Sequence, residues 1–346
     1  MNVSRAAVLA YRATAHDLER RIAAKDCGVL DTGVQDTPPG TTAQLALAAR
    51  LSGPARGLAL VHSMRGAMHV LRAKDVPLLA SALRPDHATD LLAQTHGRFF
   101  ADLGDAVAIG DAWDEVAGAM ATVMADGEPR TKGELSTELN RTVSERLRPW
   151  CAGCNVNHVH DGLFRMATLP AGLRLEPQPD RSARFVKGER PKVADTTRAR
   201  RDLARRFLRL AGAAAPGALG AWLGFDAKAA ARWWELIADE TVEVTVDGRR
   251  LYTLGDLPER ATPAKVHLLP AYDPWLEVAD REVIAPSKDV RRQVWRAANN
   301  PGVLLVGGEI VGTWRRKNAT IAVTALLPVA ADAAITPPPG TTIAMV

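Results

Sequence analysis

Cysteine is almost absent from this chain, with three in 346 residues. So few thiols exclude a disulfide-stapled scaffold and suit a reducing compartment. Long apolar runs are absent too. No stretch approaches the roughly 18 uninterrupted apolar residues that a membrane span needs. The opening MNVSRAAVLAYRATAHDLERRIAAKDC is charged and helix-periodic, without the apolar core of a signal peptide. A soluble, cytoplasmic protein with no membrane partner is expected. No convincing Gly-x-Gly-x-x-Gly or Walker pattern occurs, so a nucleotide cofactor is unsupported, and no Gly-x-Ser-x-Gly is found. Aromatics are scarce at 5%, yet eight tryptophans outnumber three tyrosines.

What remains is ordinary globular composition, 47% hydrophobic and 24% charged, in a chain longer than one average domain. A net charge of +5 and a pI near 9.3 lean towards a polyanionic partner.

Residues 3–26 read as one amphipathic helix, with Val8, Leu9, Leu18 and Ile22 near the helical period. A turn-rich stretch follows, and Thr41 or Thr42 is placed to cap the helix AQLALAARL. LALVHSMRGAMHVL mixes strand and helix signals, Asp75 is placed to cap VPLLASALR, and a helical run covers roughly 88–125. TKGELSTEL has capping-box spacing, and DGLFRMATLPAG is a second helical run before two short extended segments, LRLEP and ARFV. The order helix, helix, hairpin is that of a winged helix-turn-helix. It returns at 200–253: three helices, the third capped by Asp226, then strands alternating about Asp247-Gly248. Beyond 264 the chain turns rich in β-branched residues and glycine, and the Pro run at 337–339 reads as a loop. The fold class expected is α+β. The units are 1–128, a helical or winged-helix unit; 129–192 and 198–258, two winged-helix units; and 264–346, a small mostly-β module.

Two of the cysteines stand in Cys151-x2-Cys154-x3-His158-x-His160, which supplies four zinc-ligand types in ten residues. The loop is short for a complete tetrahedral cage, so two cysteines and one histidine can bind while the other histidine points away. A redox pair would want the CxxC to open a helix after a strand, and a zinc deaminase would want a His-x-Glu ahead of it. A structural zinc and an ordinary reduced loop both remain open.

MRGAMHV (64–70), LLPAYDPWL (268–276) and VGGEIVGTWRRK (306–317), taken in order with the two helix–helix–hairpin units, resemble landmarks of the AlkZ-like winged-helix DNA glycosylase family. The resemblance implies tandem winged-helix units in a C-shaped cradle for double-stranded DNA. It also implies a monomeric enzyme that hydrolytically excises bulky or cationic N3- or N7-alkylated purines, with no cofactor for catalysis. The family's catalytic element is Gln-x-Gln or Gln-x-Asp ahead of a helix. The matching stretch here is GVQDTPPG, making Gln35, Asp36 and Thr37 the candidate catalytic residues. Gln35 can match either family position; no second glutamine follows at the right spacing, and Asp36 is shifted by one.

A cationic alkylpurine is already a good leaving group, so the enzyme must stabilise an oxocarbenium-like sugar and position a water. Gln35 can orient water through its amide and Asp36 can add negative charge, although Gln-Asp-Thr-Pro-Pro is equally a good turn with Asp36 on local amides. No lysine adjoins the motif to form a Schiff base, as a monofunctional enzyme requires. Candidate DNA contacts are Arg65 and His69, four apart and on one face if helical; Arg249 and Arg250 at a wing tip; and Trp314, Arg315, Arg316 and Lys317 at a basic strand end. A non-catalytic winged-helix DNA-binding protein accounts for the same features. The arginine-rich stretch 200–209 is a solvated helix face or a phosphate contact.

Overall fold

The computed structural model describes residues 1–85, 106–257, 265–328 and 342–345. Its first helix, α1 (Arg5–Ala15), is shorter than its periodicity predicts and is capped by Ser4, whose hydroxyl accepts the Ala7 amide at 3.1 Å. The break has a local cause. Asp17 adopts a left-handed φ of 53° and its carboxylate accepts the Gly28 amide at 2.7 Å. Ile22, whose spacing suggested more helix, instead bridges to Leu51 in extended backbone. Arg12 is fully buried, and its guanidinium donates to the carbonyls of Leu210, Trp275 and Val278, which ties α1 to distant segments.

A three-stranded antiparallel sheet follows, in the order β1 (Val34–Gln35), β3 (Met68–Arg72), β2 (Leu58–His62). Helix α2 (Thr42–Ala48) lies between β1 and β2 in sequence. The mixed signals of 58–72 resolve into two strands about a turn at 64–66, so Arg65 and His69 do not share a helix face. Helix α3 (Val76–Ala82) begins after Asp75, but Asp75 makes no side-chain cap; its carboxylate faces Arg206 at 3.2 Å and Arg72 at 3.7 Å. Charge pairing outcompetes capping there.

Helix α4 (Ala106–Val123) is the described part of the predicted 88–125 run; residues 86–105 lie outside the described residues. Helix α5 (Lys132–Thr142) opens on the expected capping box, Thr131 and Glu134 each bonding the other's backbone amide. The short pair β4 (Trp150–Cys151) and β5 (Val156–Asn157) leads to α6 (Asp161–Thr168) and the hairpin β6 (Leu173–Pro177), β7 (Ala183–Lys187). Trp113, Leu135, Phe164 and Phe185 form the heart of the core these elements share.

The second series runs α7 (Thr196–Ala211), α8 (Pro216–Leu223), α9 (Ala227–Glu235), β8 (Val242–Val246) and β9 (Arg249–Thr253). The turn between the strands places Asp247 and Gly248 at φ 47° and 75°, as a two-residue hairpin turn demands. Trp233 and Trp234 are both buried: Trp233 meets Phe225 edge-on, and Trp234 meets Tyr252 of β9. A neighbouring hairpin therefore covers the tryptophan that an isolated helix would expose.

The last sheet has the order β10 (Val266–Leu269), β11 (Gly302–Val306), β12 (Glu309–Lys317), β13 (Thr320–Ala325), β14 (Thr342–Met345), antiparallel except for β13–β14. Three short helices interrupt it after β10: α10 (Pro274–Glu277), α11 (Arg281–Ile284) and α12 (Lys288–Val294). Asp273 caps α10 and takes both ends of the Arg50 guanidinium at 2.7 and 2.9 Å, both side chains fully buried. That pair fastens the end of α2 to the start of α10. The Pro run at 337–339 lies outside the described residues. Among the described residues no helix is long and apolar enough to cross a membrane.

Candidate active site

Gln35 and Asp36 are consecutive residues at the end of a strand, so their side chains leave the backbone on opposite faces. Gln35 stands opposite His69 across the sheet and is 8% exposed. Its Oε1 accepts from Arg65 Nη2 at 2.8 Å, and its Nε2 donates to Thr37 Oγ1 at 3.3 Å. The amide of Thr37 donates to Thr42 Oγ1 at 2.9 Å, and that hydroxyl donates to the Gln35 carbonyl, so the segment is locked from within.

Arg65 is the joint of the site. Its Nη2 also reaches Glu277 Oε2 at 2.9 Å, and its Nη1 donates to the Trp222 carbonyl. The residue holds a left-handed φ of 60°, which aims the side chain out of the turn between β2 and β3. Gly224, just past α8, leaves room for it: φ is 75°, and a Cβ there would lie 2.8 Å from Arg65 Cγ. Three distant segments thus meet at one guanidinium. Glu277 goes on to line a cleft of about 340 Å³ with Trp222, Arg249, Asp280 and Arg281. Burial lowers the Arg281 pKa, opposed by the nearby Glu277 carboxylate.

Asp36 does something else. Its carboxylate accepts the amides of Gly40 at 2.5 Å, Thr41 at 3.0 Å and Ala43 at 3.1 Å, which caps the N-terminus of α2. The cap expected from Thr41 or Thr42 is therefore supplied from six residues or so upstream of the helix, and neither threonine makes it. The same carboxylate borders a cavity of about 680 Å³, largely apolar, with Arg21, Ala43, Leu47, Leu58 and Pro177. This larger cavity lies on the Asp36 side of the strand; Gln35, Arg65 and Glu277 do not line it.

The candidate DNA contacts divide. His69 is 2% exposed, and its Nδ1 lies 2.9 Å from Ser63 Oγ and 3.1 Å from the Ala67 carbonyl. Burial, reinforced by the Arg65 charge, pushes its pKa down to about 3, so it is neutral and unsuited to a phosphate. Arg249 is committed to Asp280 at 3.0 and 3.1 Å and to Glu282 at 3.1 Å. Trp314 is buried and donates to the Leu269 carbonyl at 2.8 Å, so it packs the sheet and does not lead a basic tip. The surface cations are Arg250, on Glu243 at 2.7 Å, and Arg315, Arg316 and Lys317 at the β12–β13 end, of which Arg316 and Lys317 are exposed. The arginine-rich face of α7 is paired, not bare: Arg201 and Arg205 both hold Glu240, and Arg206 holds Asp75 and Asp202.

In the cysteine loop, both Sγ atoms and one ring nitrogen of His158 lie within 4.8 Å of one another. His160 is outside this group; its Nδ1 accepts the Gly162 amide at 3.2 Å and caps α6. Hydrogen bonding from the Cys154 amide first of all lowers the Cys151 thiol pKa to about 7.

Sequence reasoning missed Glu277 and Trp222. Glu277 sits four residues after Asp273, one position beyond the LLPAYDPWL landmark. Nothing local in Trp222 signals that its carbonyl is a partner for Arg65.

A family model described as DNA glycosylase AlkZ-like matches residues 29–336. Among solved structures, the Streptomyces sahachiroi DNA glycosylase AlkZ is similar over 100% of both chains, with a TM-score of 0.73 and 21% sequence identity. No curated protein matches the sequence.

Proposed function

Because the chain belongs to the AlkZ-like DNA glycosylase family, we propose that it is a monofunctional DNA glycosylase of alkylated or bulky N3- or N7-purine adducts in duplex DNA. The observation that carries this reading is the bridge Gln35–Arg65–Glu277, with one guanidinium nitrogen 2.8 Å from the amide and 2.9 Å from the carboxylate. Departure of a cationic base leaves positive charge on the sugar, which a fixed carboxylate and amide dipole stabilise without reorganising. Gln35 positions the attacking water, with Thr37 holding the amide in its orientation. Glu277 supplies the negative charge that Asp36, spent on the α2 amides, cannot. Arg65 is a positioning residue that sets the spacing of the other two.

The two helix–hairpin series serve as tandem winged-helix units, α5–α6 with β6–β7 and α7–α9 with β8–β9, in a C-shaped cradle about the duplex. Arg250, Arg315, Arg316 and Lys317 lie on phosphates, where they add affinity without sequence preference. Such an enzyme acts as a monomer and suits self-protection against a DNA-alkylating genotoxin. Excision of 7-methylguanine from duplex DNA tests the activity, with release of the free base as the readout.

One observation favours a second reading, a non-catalytic DNA-binding protein that regulates or senses adducts. Asp36 is committed to capping, and neither Gly33 nor Thr37, two residues either side of Gln35, is the glutamine or aspartate the family motif pairs with it. Tight binding of an alkylated duplex with no base released would favour it.

A further inference from the structure

We propose that Cys151, Cys154 and His158 bind one zinc ion through three protein ligands, the fourth position being open to water. The two thiol sulfurs and a ring nitrogen of His158 are gathered within 4.8 Å. A tetrahedral ion with bonds of about 2.0–2.3 Å sets its ligand atoms roughly 3.5–4 Å apart, within reach of small rotamer changes.

The histidine is prepared for this. Its Nδ1 lies 2.7 Å from the Val159 carbonyl, which requires the proton on Nδ1 and leaves the lone pair on Nε2. A backbone carbonyl on the far nitrogen is the partner that fixes a metal-binding imidazole. Nε2 itself is buried and has no hydrogen-bond partner. An unsatisfied buried acceptor costs free energy that coordination would recover.

The loop has little apolar packing of its own; polar contacts hold its base, Asn140 Nδ2 donating to the Asn157 carbonyl at 2.8 Å and Asn157 Nδ2 to the Arg148 carbonyl at 3.0 Å. The β4–β5 pair has two residue pairs, and residues 152–157 are exposed, including Val156 at 49%; Trp150 is exposed to 60%. A two-stranded hairpin without a core beneath it is marginal in water. Its turn is nonetheless tight, with the amides of Cys154 and Asn155 both on the Cys151 carbonyl at 3.2 and 2.8 Å and Asn155 at φ 55°. A soft dication between thiolates would add a cross-link at the exposed tip. It would fasten the approach to α6, which packs against the Arg65 turn through Arg165, whose Cβ lies 3.4 Å from a Cβ placed on Gly66.

His160 is excluded from the ligand set by its cap on α6, and the third cysteine, Cys27, is fully buried elsewhere. The test is full-length protein expressed in zinc-supplemented medium and purified without chelator. Wild type is expected to hold about one zinc per chain, with two of its three thiols protected from a thiol reagent until the metal is stripped. Cobalt added to stripped wild type is expected to give thiolate-to-metal charge-transfer absorption and tetrahedral d–d bands. His158→Asn and Cys154→Ser lose the ion at least tenfold more readily, while His160→Asn and Cys27→Ser keep it. A misfolded ligand variant would mimic metal loss, so the cobalt spectrum of wild type decides independently. No ion and no spectrum, with the two thiols freely reactive or joined as a disulfide, overturns the proposal. Equal loss in His160→Asn and His158→Asn overturns the three-ligand assignment.

Discussion

Gln35 and Glu277 are joined through a single nitrogen: Arg65 Nη2 stands 2.8 Å from the amide oxygen of one and 2.9 Å from a carboxylate oxygen of the other. The two lie 242 positions apart in the chain, and the guanidinium geometry fixes the distance between them. If Glu277 provides transition-state charge, Glu277→Gln should lower single-turnover base release by roughly 10²-fold, the effect of losing one preorganised electrostatic partner. Its affinity for alkylated duplex should stay within about twofold, since the interaction matters as charge develops. A parallel loss of binding would instead make Glu277 a structural counter-ion to Arg65.

Asp36 should be a stability residue. Removing the carboxylate leaves the amides of Gly40, Thr41 and Ala43 without their acceptor. Asp36→Ala is expected to cost about 1–3 kcal/mol by urea unfolding. Base release, measured well below the melting temperature, should fall far less than in Gln35→Ala. Full loss of activity in a stably folded Asp36→Ala protein would return the carboxylate to the chemistry.

Acid should destabilise the fold through buried neutral histidines. Burial holds His62 and His69 at about 3 against an ordinary 6.5. Between those values the unfolded chain binds more protons than the folded one, so stability falls as pH drops below 6.5. Each histidine contributes roughly 2 kcal/mol of that loss between pH 6.5 and pH 5. Urea unfolding at pH 7 and pH 5 checks it: His69→Gln, whatever its stability at pH 7, should lose about 2 kcal/mol less than wild type on acidification. An unchanged pH dependence would show that His69 is charged or exposed.

DNA affinity should depend on the β12–β13 end and not on Arg249. Arg316→Ala combined with Lys317→Ala is expected to weaken binding uniformly across sequences and reduce the slope of log K against log salt by about 2. Arg249→Ala should leave the slope nearly unchanged, because that guanidinium is spent on Asp280 and Glu282. Trp314→Ala should lower stability by about 3–5 kcal/mol as a cavity in the sheet. A salt slope that responds to Arg249 would show that its guanidinium leaves Asp280 and Glu282 to meet the DNA.

Local signals in the sequence carried the elements well. The Thr131–Glu134 box, the Asp226 cap and the Asp247-Gly248 turn depend on residues within a few positions of one another, and each forms as its spacing implies. Long-range competition defeated the rest. Asp75 looked like a cap but faces Arg206; α1 stopped early because Asp17 found the Gly28 amide. The arginines of α7 read as either a solvated face or a phosphate contact, and neither reading contained Glu240, which lies 35 residues beyond Arg205 and pairs with it and with Arg201. The site shows the same divide. Gln35 was visible as a motif, whereas Glu277 becomes part of it only through the side chain of Arg65, a contact no spacing rule contains.

The most direct measurement is release of 7-methylguanine from a duplex under single-turnover conditions, comparing wild type with Gln35→Ala at equal DNA occupancy. A water-positioning Gln35 predicts base release by wild type, a loss of roughly 10²-fold or more in the variant, and unchanged binding of the duplex. Equal rates in the two proteins, or no release by wild type from a duplex it binds, would contradict the account.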